Sequence, residues 1–186
     1  MGRSTAWALT LSAVLPLVAY AKPALGPGQG AVVGAWEAKS MRRVVGLVIE
    51  PVVEQGGCAR LAGHGEFDLN DHPSARDGLF WKAHRVRPGR YAVAAVRWNS
   101  GGYPTNYYGF SRQTGALWTF IVNPAAVTDI GVWRITSRYA DRFVVEGFDI
   151  QGSQAQARAL AAGLGPLLLA DPRRAPVAEK AGPCPA

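Results

Sequence analysis

The sequence predicts a mostly β protein, an antiparallel β-sandwich or open barrel with one helix packed against it near the C-terminus. Three observations lead there: several short runs rich in β-branched and aromatic residues, turn residues between them, and a single segment whose apolar positions recur with helical spacing. Strands following one another through turns fit a sandwich or barrel better than βαβ units, which would place a helix after each strand. Composition agrees. Of 186 residues, 48% are hydrophobic and 18% charged, with 22 Gly, 13 Pro and 2 Cys, which excludes a disordered chain, a collagen and a cysteine-stapled miniprotein.

The first segment reads as an address. Arg3 is followed by an apolar run from Trp7 to Ala19, and Ala19-Tyr20-Ala21 places small residues where a signal peptidase reads. The run is about 13 residues long, against about 20 for a spanning helix, so residues 1–21 are expected to be a cleaved signal that leaves no transmembrane span. Lys22 stands where a lipoprotein would carry its cysteine. The product is therefore expected in the periplasm or outside the cell, and its one sizeable core would bury roughly 68–70% of the unfolded surface. Lys and Arg outnumber Asp and Glu by 20 to 13. In that compartment the excess points away from nucleic acid and towards an envelope protein or an anionic cell-wall or lipid surface; scattered arginines also serve solubility alone.

Residues 22–40 contain Pro23, Pro27 and the glycines 26, 28, 30 and 34, and are expected to be a flexible lead-in, with order beginning near Met41. A β domain then spans 41–170. Val44 to Val53 is its first strand-like run, with Pro51 marking an edge or bulge. Leu79–Val86 and Tyr91–Trp98 are two more, joined by Arg87-Pro88-Gly89-Arg90, which suits a type II turn and a hairpin or sharp reversal. Further runs lie at Leu117–Val122, Val127–Ile135 and Arg142–Phe148, with turns at Asn123-Pro124 and around Ser137 to Asp141. The helix is predicted at about 153–164: Ser153 and Gln156 have capping-box spacing, Ala157, Leu160, Ala161 and Leu164 form one stripe, and Gly163, Gly165 and Pro166 end it. Leu167–Ala170 would add a short strand before a Pro-rich tail, 171–186.

The order Arg87-Pro88-Gly89-Arg90-Tyr91-Ala92-Val93, Leu117-Trp118-Thr119-Phe120-Ile121-Val122 and Asp129-Ile130-Gly131-Val132-Trp133 resembles small exported bacterial proteins of unknown function, similar in turn to the prealbumin-like, carboxypeptidase-regulatory β-sandwich. The likeness covers roughly Val44 to Ile150 and departs from the pattern at Asn123-Pro124-Ala125-Ala126, where a glycine is expected. It implies a fold and an envelope setting, and brings no catalytic residues.

Several enzyme classes lose their signature here. The chain has no G-x-x-x-x-G-K-[ST] loop, no G-x-S-x-G elbow, no H-E-x-x-H helix and no C-x-x-C pair. No cofactor is called for, and a non-catalytic accessory or interaction protein is the leading reading. Two clusters compete with it. His64, Glu66 and Asp68 would share one face if extended, with Asp71 or His72 closing the shell of a divalent metal and Glu66 acting as the base of a hydrolase; the same composition suits a solvated strand edge and turn. Trp98, Tyr103, Tyr107 and Tyr108, interleaved with Asn99, Asn106 and Arg112 and followed by Phe110, Gln113 and Trp118, would suit a glycan or cell-wall module; the alternative is a cover for the open end of the sandwich. Arg85, Arg87 and Arg90 would form a cationic tip, and His84 is a plain strand residue. Cys58 and Cys184, the only two thiols, can form one disulfide holding the tail to the body, or remain free or bridge two chains.

Overall fold

Gly30–Lys39, half of whose ten residues are Gly or Ala, forms the strand at the centre of one of two sheets. This corrects the expectation of a flexible lead-in over 22–40. Glycine was read there as entropy to be lost, but its small size is what the position requires. A Cβ on Gly30 would lie 2.6 Å from Val122 Cγ1 and 2.8 Å from the Asn123 carbonyl oxygen, and one on Gly34 would lie 2.5 Å from Ile130 Cγ1. Close approach of a packed side chain, joined at Gly30 by the Asn123 carbonyl, thus calls for glycine at both sites.

The computed structural model describes residues 23–39, 43–62, 67–70, 75–76, 79–99, 106–109, 116–139, 142–149 and 154–176. The expected signal at 1–21, Ser153 of the expected capping box and Cys184 lie outside the described residues. The strands are β1 (Gly30–Lys39), β2 (Arg43–Gln55), β3 (Cys58–Leu61), β4 (Phe67–Asn70), β5 (Ala75–Arg76), β6 (Leu79–Val86), β7 (Gly89–Asn99), β8 (Asn106–Gly109), β9 (Ala116–Val122), β10 (Val127–Tyr139) and β11 (Arg142–Asp149). Helix α1 (Gln154–Ala161) follows, then β12 (Leu167–Leu169) and β13 (Arg173–Pro176). The protein is mostly β with one helix, as predicted, although the described residues hold more strands than the runs picked out in the sequence.

The first sheet runs β11-β10-β1-β6-β5, with β12 also on β10; the second runs β13-β9-β7-β2-β3, with β4 on β2 and β8 on β7. The described pairings of the second sheet are antiparallel, whereas β10 pairs in parallel with both β1 and β12. The first sheet is therefore mixed, not antiparallel throughout. It is also the middle of three layers. Val32 and Trp36 of β1 face the second sheet, among Leu47, Ile49, Val93, Phe120 and Trp133; Ala31, Val33 and Ala35 face α1, among Trp81, Val127, Val132, Ala157, Ala161 and Leu164. Alternation on a strand with both faces covered produces the unbroken burial of residues 30–36.

Helix α1 places its stripe as its spacing predicts. Ala157, Ala161 and Leu164 are buried and Leu160 packs against the same cluster. Gly163, at φ +77°, ends the helix in the left-handed region, and Arg158 in the last turn favours the carbonyl end of the dipole. The segment 23–29 is laid over this layer: the Leu25 N–H donates to the Leu164 carbonyl at 2.8 Å and its side chain is buried.

The turn at 87–90 is not a hairpin. β6 pairs with β1 and β5 in the first sheet, while β7 pairs with β2, β8 and β9 in the second, so Arg87-Pro88 carries the chain from one sheet to the other. Gly89 adopts φ +154°, away from the type II value near +80°. The Tyr91 hydroxyl donates to the Arg87 carbonyl four residues back at 2.8 Å, the tyrosine-corner bond found where Greek-key chains change sheets. Pro51 sits in β2 between the stretch paired with β4, ending at Ile49, and that paired with β3, starting at Val52. Its carbonyl accepts from Ala62, and in an antiparallel strand the N–H of a residue points to the same side as its C=O, so the donor that proline lacks falls in this gap.

In the turn Asn123-Pro124-Ala125-Ala126, Ala125 takes φ +52°. This costs an L-residue about 1–2 kcal/mol and is held by the Ala125 N–H donating to Gln29 at 2.7 Å.

Candidate functional site

Where the chain leaves β12 of the first sheet and joins β13 of the second, the sheets part around a cavity of about 300 Å³. Register builds its outer wall. Ile121 on β9 stands opposite Arg90 on β7, and β13, which carries Arg173, lies along the other edge of β9. An aliphatic side chain is thus flanked by two guanidinium-bearing strands. Phe120 contributes from the core side, Asn123 from the turn after β9, and Leu169, Ala170 and Asp171 from the crossing segment. The Ala170 N–H donates to the Asp129 carbonyl at 2.8 Å, tying that segment to β10, and Pro172 is buried.

The apolar part of this wall meets water. Ile121 and Leu169 are each 50% exposed, among the few large hydrophobic side chains so exposed in the described residues. The cations are tethered loosely. Arg90 pairs with Glu54 at 2.7 Å with both side chains partly exposed; Arg173 donates through Nε and Nη2 to Asp171 Oδ2 at 3.0 and 2.8 Å with both side chains about three-quarters exposed. The Asp171 hydrogen bond raises the Arg173 pKa further above its ordinary value, so this guanidinium stays charged. Solvent-exposed pairs of this kind are weak and exchange partners readily.

A second polar feature is structural. Between Val33↔Asp129 and Ala35↔Val132 the β1–β10 register shifts, leaving Ile130 and Gly131 opposite Gly34 as a bulge in a parallel pair. Gly131 lies at φ +74°; its N–H donates to Asp129 Oδ1 at 2.8 Å, and the Trp133 indole donates to the Ile130 carbonyl at 3.0 Å. Asp129 is 1% exposed, and burial raises its carboxyl pKa, partly offset by the Gly131 hydrogen bond.

The residues singled out in the sequence mostly fall elsewhere. His64, Glu66, His72, Tyr103 and Arg112 lie outside the described residues. Asp68 is on β4 opposite Val48, and no group of metal-ligating side chains occurs among the described residues. Trp98 pairs with Asn106, while Tyr107 and Tyr108 on β8 stand opposite Arg97 and Val96 in the register of β7. Trp118 packs on the core, edge-on to Trp133 with ring centroids 6.2 Å apart. Of the three arginines around the 87–90 turn, Arg85 donates to Gln29 and to the Pro23 carbonyl, and Arg90 pairs with Glu54. Cys58 is buried and disulfide-bonded, and the sequence has one other cysteine, Cys184.

The seam cavity was missed because its parts come from positions 90, 120–123 and 169–173, each unremarkable in its own run. The available signal was weak: Ile121 breaks the inward period of β9, and Leu167-Leu168-Leu169 is too continuous for a strand with one face in water. Comparison of the chain with protein-family models, with curated proteins and with solved structures finds no match.

Proposed function

We propose that this is an exported, non-catalytic accessory protein of the bacterial cell envelope that binds its partner through the seam between the two sheets. One observation carries the binding role: Ile121 and Leu169, half exposed, face one cavity bordered by two arginines. Aliphatic groups gathered around a concave site and rimmed by polar ones are the usual composition of an interaction surface. Export is supported by Arg3, the apolar run to Ala19 and the Ala19-Tyr20-Ala21 site, and the likeness to small exported prealbumin-like proteins belongs to the same proposal. The partner class is an envelope protein or an anionic wall or lipid surface.

A photo-crosslinking residue at Ile121, with another at Val53 as control, tests the role in intact cells; Val53 is 57% exposed but does not line the cavity. The expected result is an envelope adduct from position 121 and none from 53, on protein whose N-terminus is Lys22. Equal labelling from both positions, or Met1 retained on cytosolic protein, overturns the proposal.

A further inference from the structure

We infer that the seam cavity binds a neutral sugar, its carbon–hydrogen face against Ile121 and Leu169 and its hydroxyls among the ion-paired side chains beside them. A volume of about 300 Å³, at the small end of natural ligand sites, keeps the guest to the scale of a mono- or disaccharide. This deepens the binding role proposed above and rests on it.

Charge is balanced pair by pair around this site. Asp171 holds Arg173 at 2.8 Å, Glu54 holds Arg90 at 2.7 Å, and the charge of Glu54 also acts on Arg173. An ionic guest of either sign therefore finds each opposite charge already matched. A hydrocarbon guest fails for a different reason. Both pairs have side chains partly or largely in water, and the bonds within each pair use only part of their hydrogen-bonding capacity. Arg173 Nε and Nη2 both donate to Asp171 Oδ2, so Asp171 Oδ1 and the N–H groups of Nη1 lie outside that contact. An apolar body pressed against these atoms would strip their water and return no hydrogen bond. The wall suits a guest that donates and accepts at several points. Hydroxyls do both, and adjacent ones on a ring can bridge an arginine and its carboxylate without parting them. Asn123 on the same wall adds an amide with one donor end and one acceptor end. The apolar part is small, Ile121 and Leu169 each half exposed, which matches the carbon–hydrogen face of a ring better than a long chain.

Titration of the disulfide-bonded mature chain, followed by amide chemical shifts, tests the assignment. The probes are methyl glucoside and methyl galactoside, glucuronate, glucosamine and cyclohexanol, at about pH 6, where the acid sugar is ionised and the amino sugar protonated. The tighter neutral glycoside is expected to move the Ile121 and Leu169 amides and to bind at least about tenfold more tightly than cyclohexanol, with neither charged sugar exceeding it by more than about threefold. Asp171→Ala removes the lining carboxylate at a position largely in water; it is expected to weaken the glycoside by roughly tenfold and leave cyclohexanol unchanged, and Arg173→Gln to act in the same direction. A charged sugar binding about tenfold more tightly than both glycosides, cyclohexanol matching them, a glycoside indifferent to both variants, or shifts confined to other strands overturns the inference. No binding by any of the probes also overturns it, while crosslinking from position 121 separately judges the proposed partner surface.

Discussion

Single residues at the β1–β10 contact show how small changes in bulk or charge are amplified by burial. Gly34 leaves room for Ile130, and Asp129 holds the Gly131 amide in the bulge opposite. The carboxyl of Asp129 has its pKa raised in the folded protein, by burial first, with the Gly131 hydrogen bond opposing. As pH rises, the unfolded chain therefore loses this proton first, and the native state is penalised between the ordinary carboxylate pKa and the raised one. Stability from this group is fully present below that window and is lost through it. Asp129→Asn keeps an acceptor for Gly131 and cannot ionise. Its urea midpoint, relative to the unsubstituted protein, is expected to rise as pH climbs through the ordinary carboxylate range and to level off once Asp129 is ionised in the folded protein too. A difference independent of pH would mean that the carboxylate is not disfavoured by its burial; the constant part of the difference reports only the seating of the amide.

At the level of elements, the corner between β6 and β7 turns the chain from the first sheet into the second, and the Tyr91 hydroxyl pins it. The Tyr91 ring is stacked on Phe120 at 6.3 Å, so removing the oxygen leaves the packing in place. Tyr91→Phe should cost about 1 kcal/mol, seen as a lower urea midpoint with an unchanged slope. An unchanged midpoint would mean that water serves the Arg87 carbonyl equally well. The sequence reads as two strand runs, Leu79–Val86 and Tyr91–Trp98, joined by a turn; the strands are there, with β7 beginning two residues earlier at Gly89. That the two strands part company was not legible, because Pro-Gly chemistry specifies local torsions and leaves the partners of each strand open.

Across the whole molecule the last segment closes the second sheet at its edge. β13 pairs with β9, bringing Arg173 and Asp171 to the seam, and the tail after it contains Cys184. Cys58 begins β3 and is disulfide-bonded. Non-reducing digestion and mass spectrometry are expected to find the Cys58 peptide joined to that of Cys184, and reduction to lower stability by roughly 2–5 kcal/mol in a denaturant titration. Two free thiols, or a linked dimer of Cys58 peptides, would contradict this. A bond of that span constrains the unfolded chain more than any contact within a sheet does.

By itself the sequence determined the periods: alternation and β-branched runs for the strands of the body, and the stripe Ala157, Leu160, Ala161, Leu164 for α1, because local backbone geometry repeats at fixed intervals. It did not determine β1, whose Gly and Ala content looks like linker until the neighbours that crowd Gly30 and Gly34 are known. Nor did it determine the seam site, where Arg90, Ile121, Leu169 and Arg173 meet only through strand order. Pairing between strands distant in the chain is set by the fit of whole faces, so only the tertiary structure decides which side chains share a cavity.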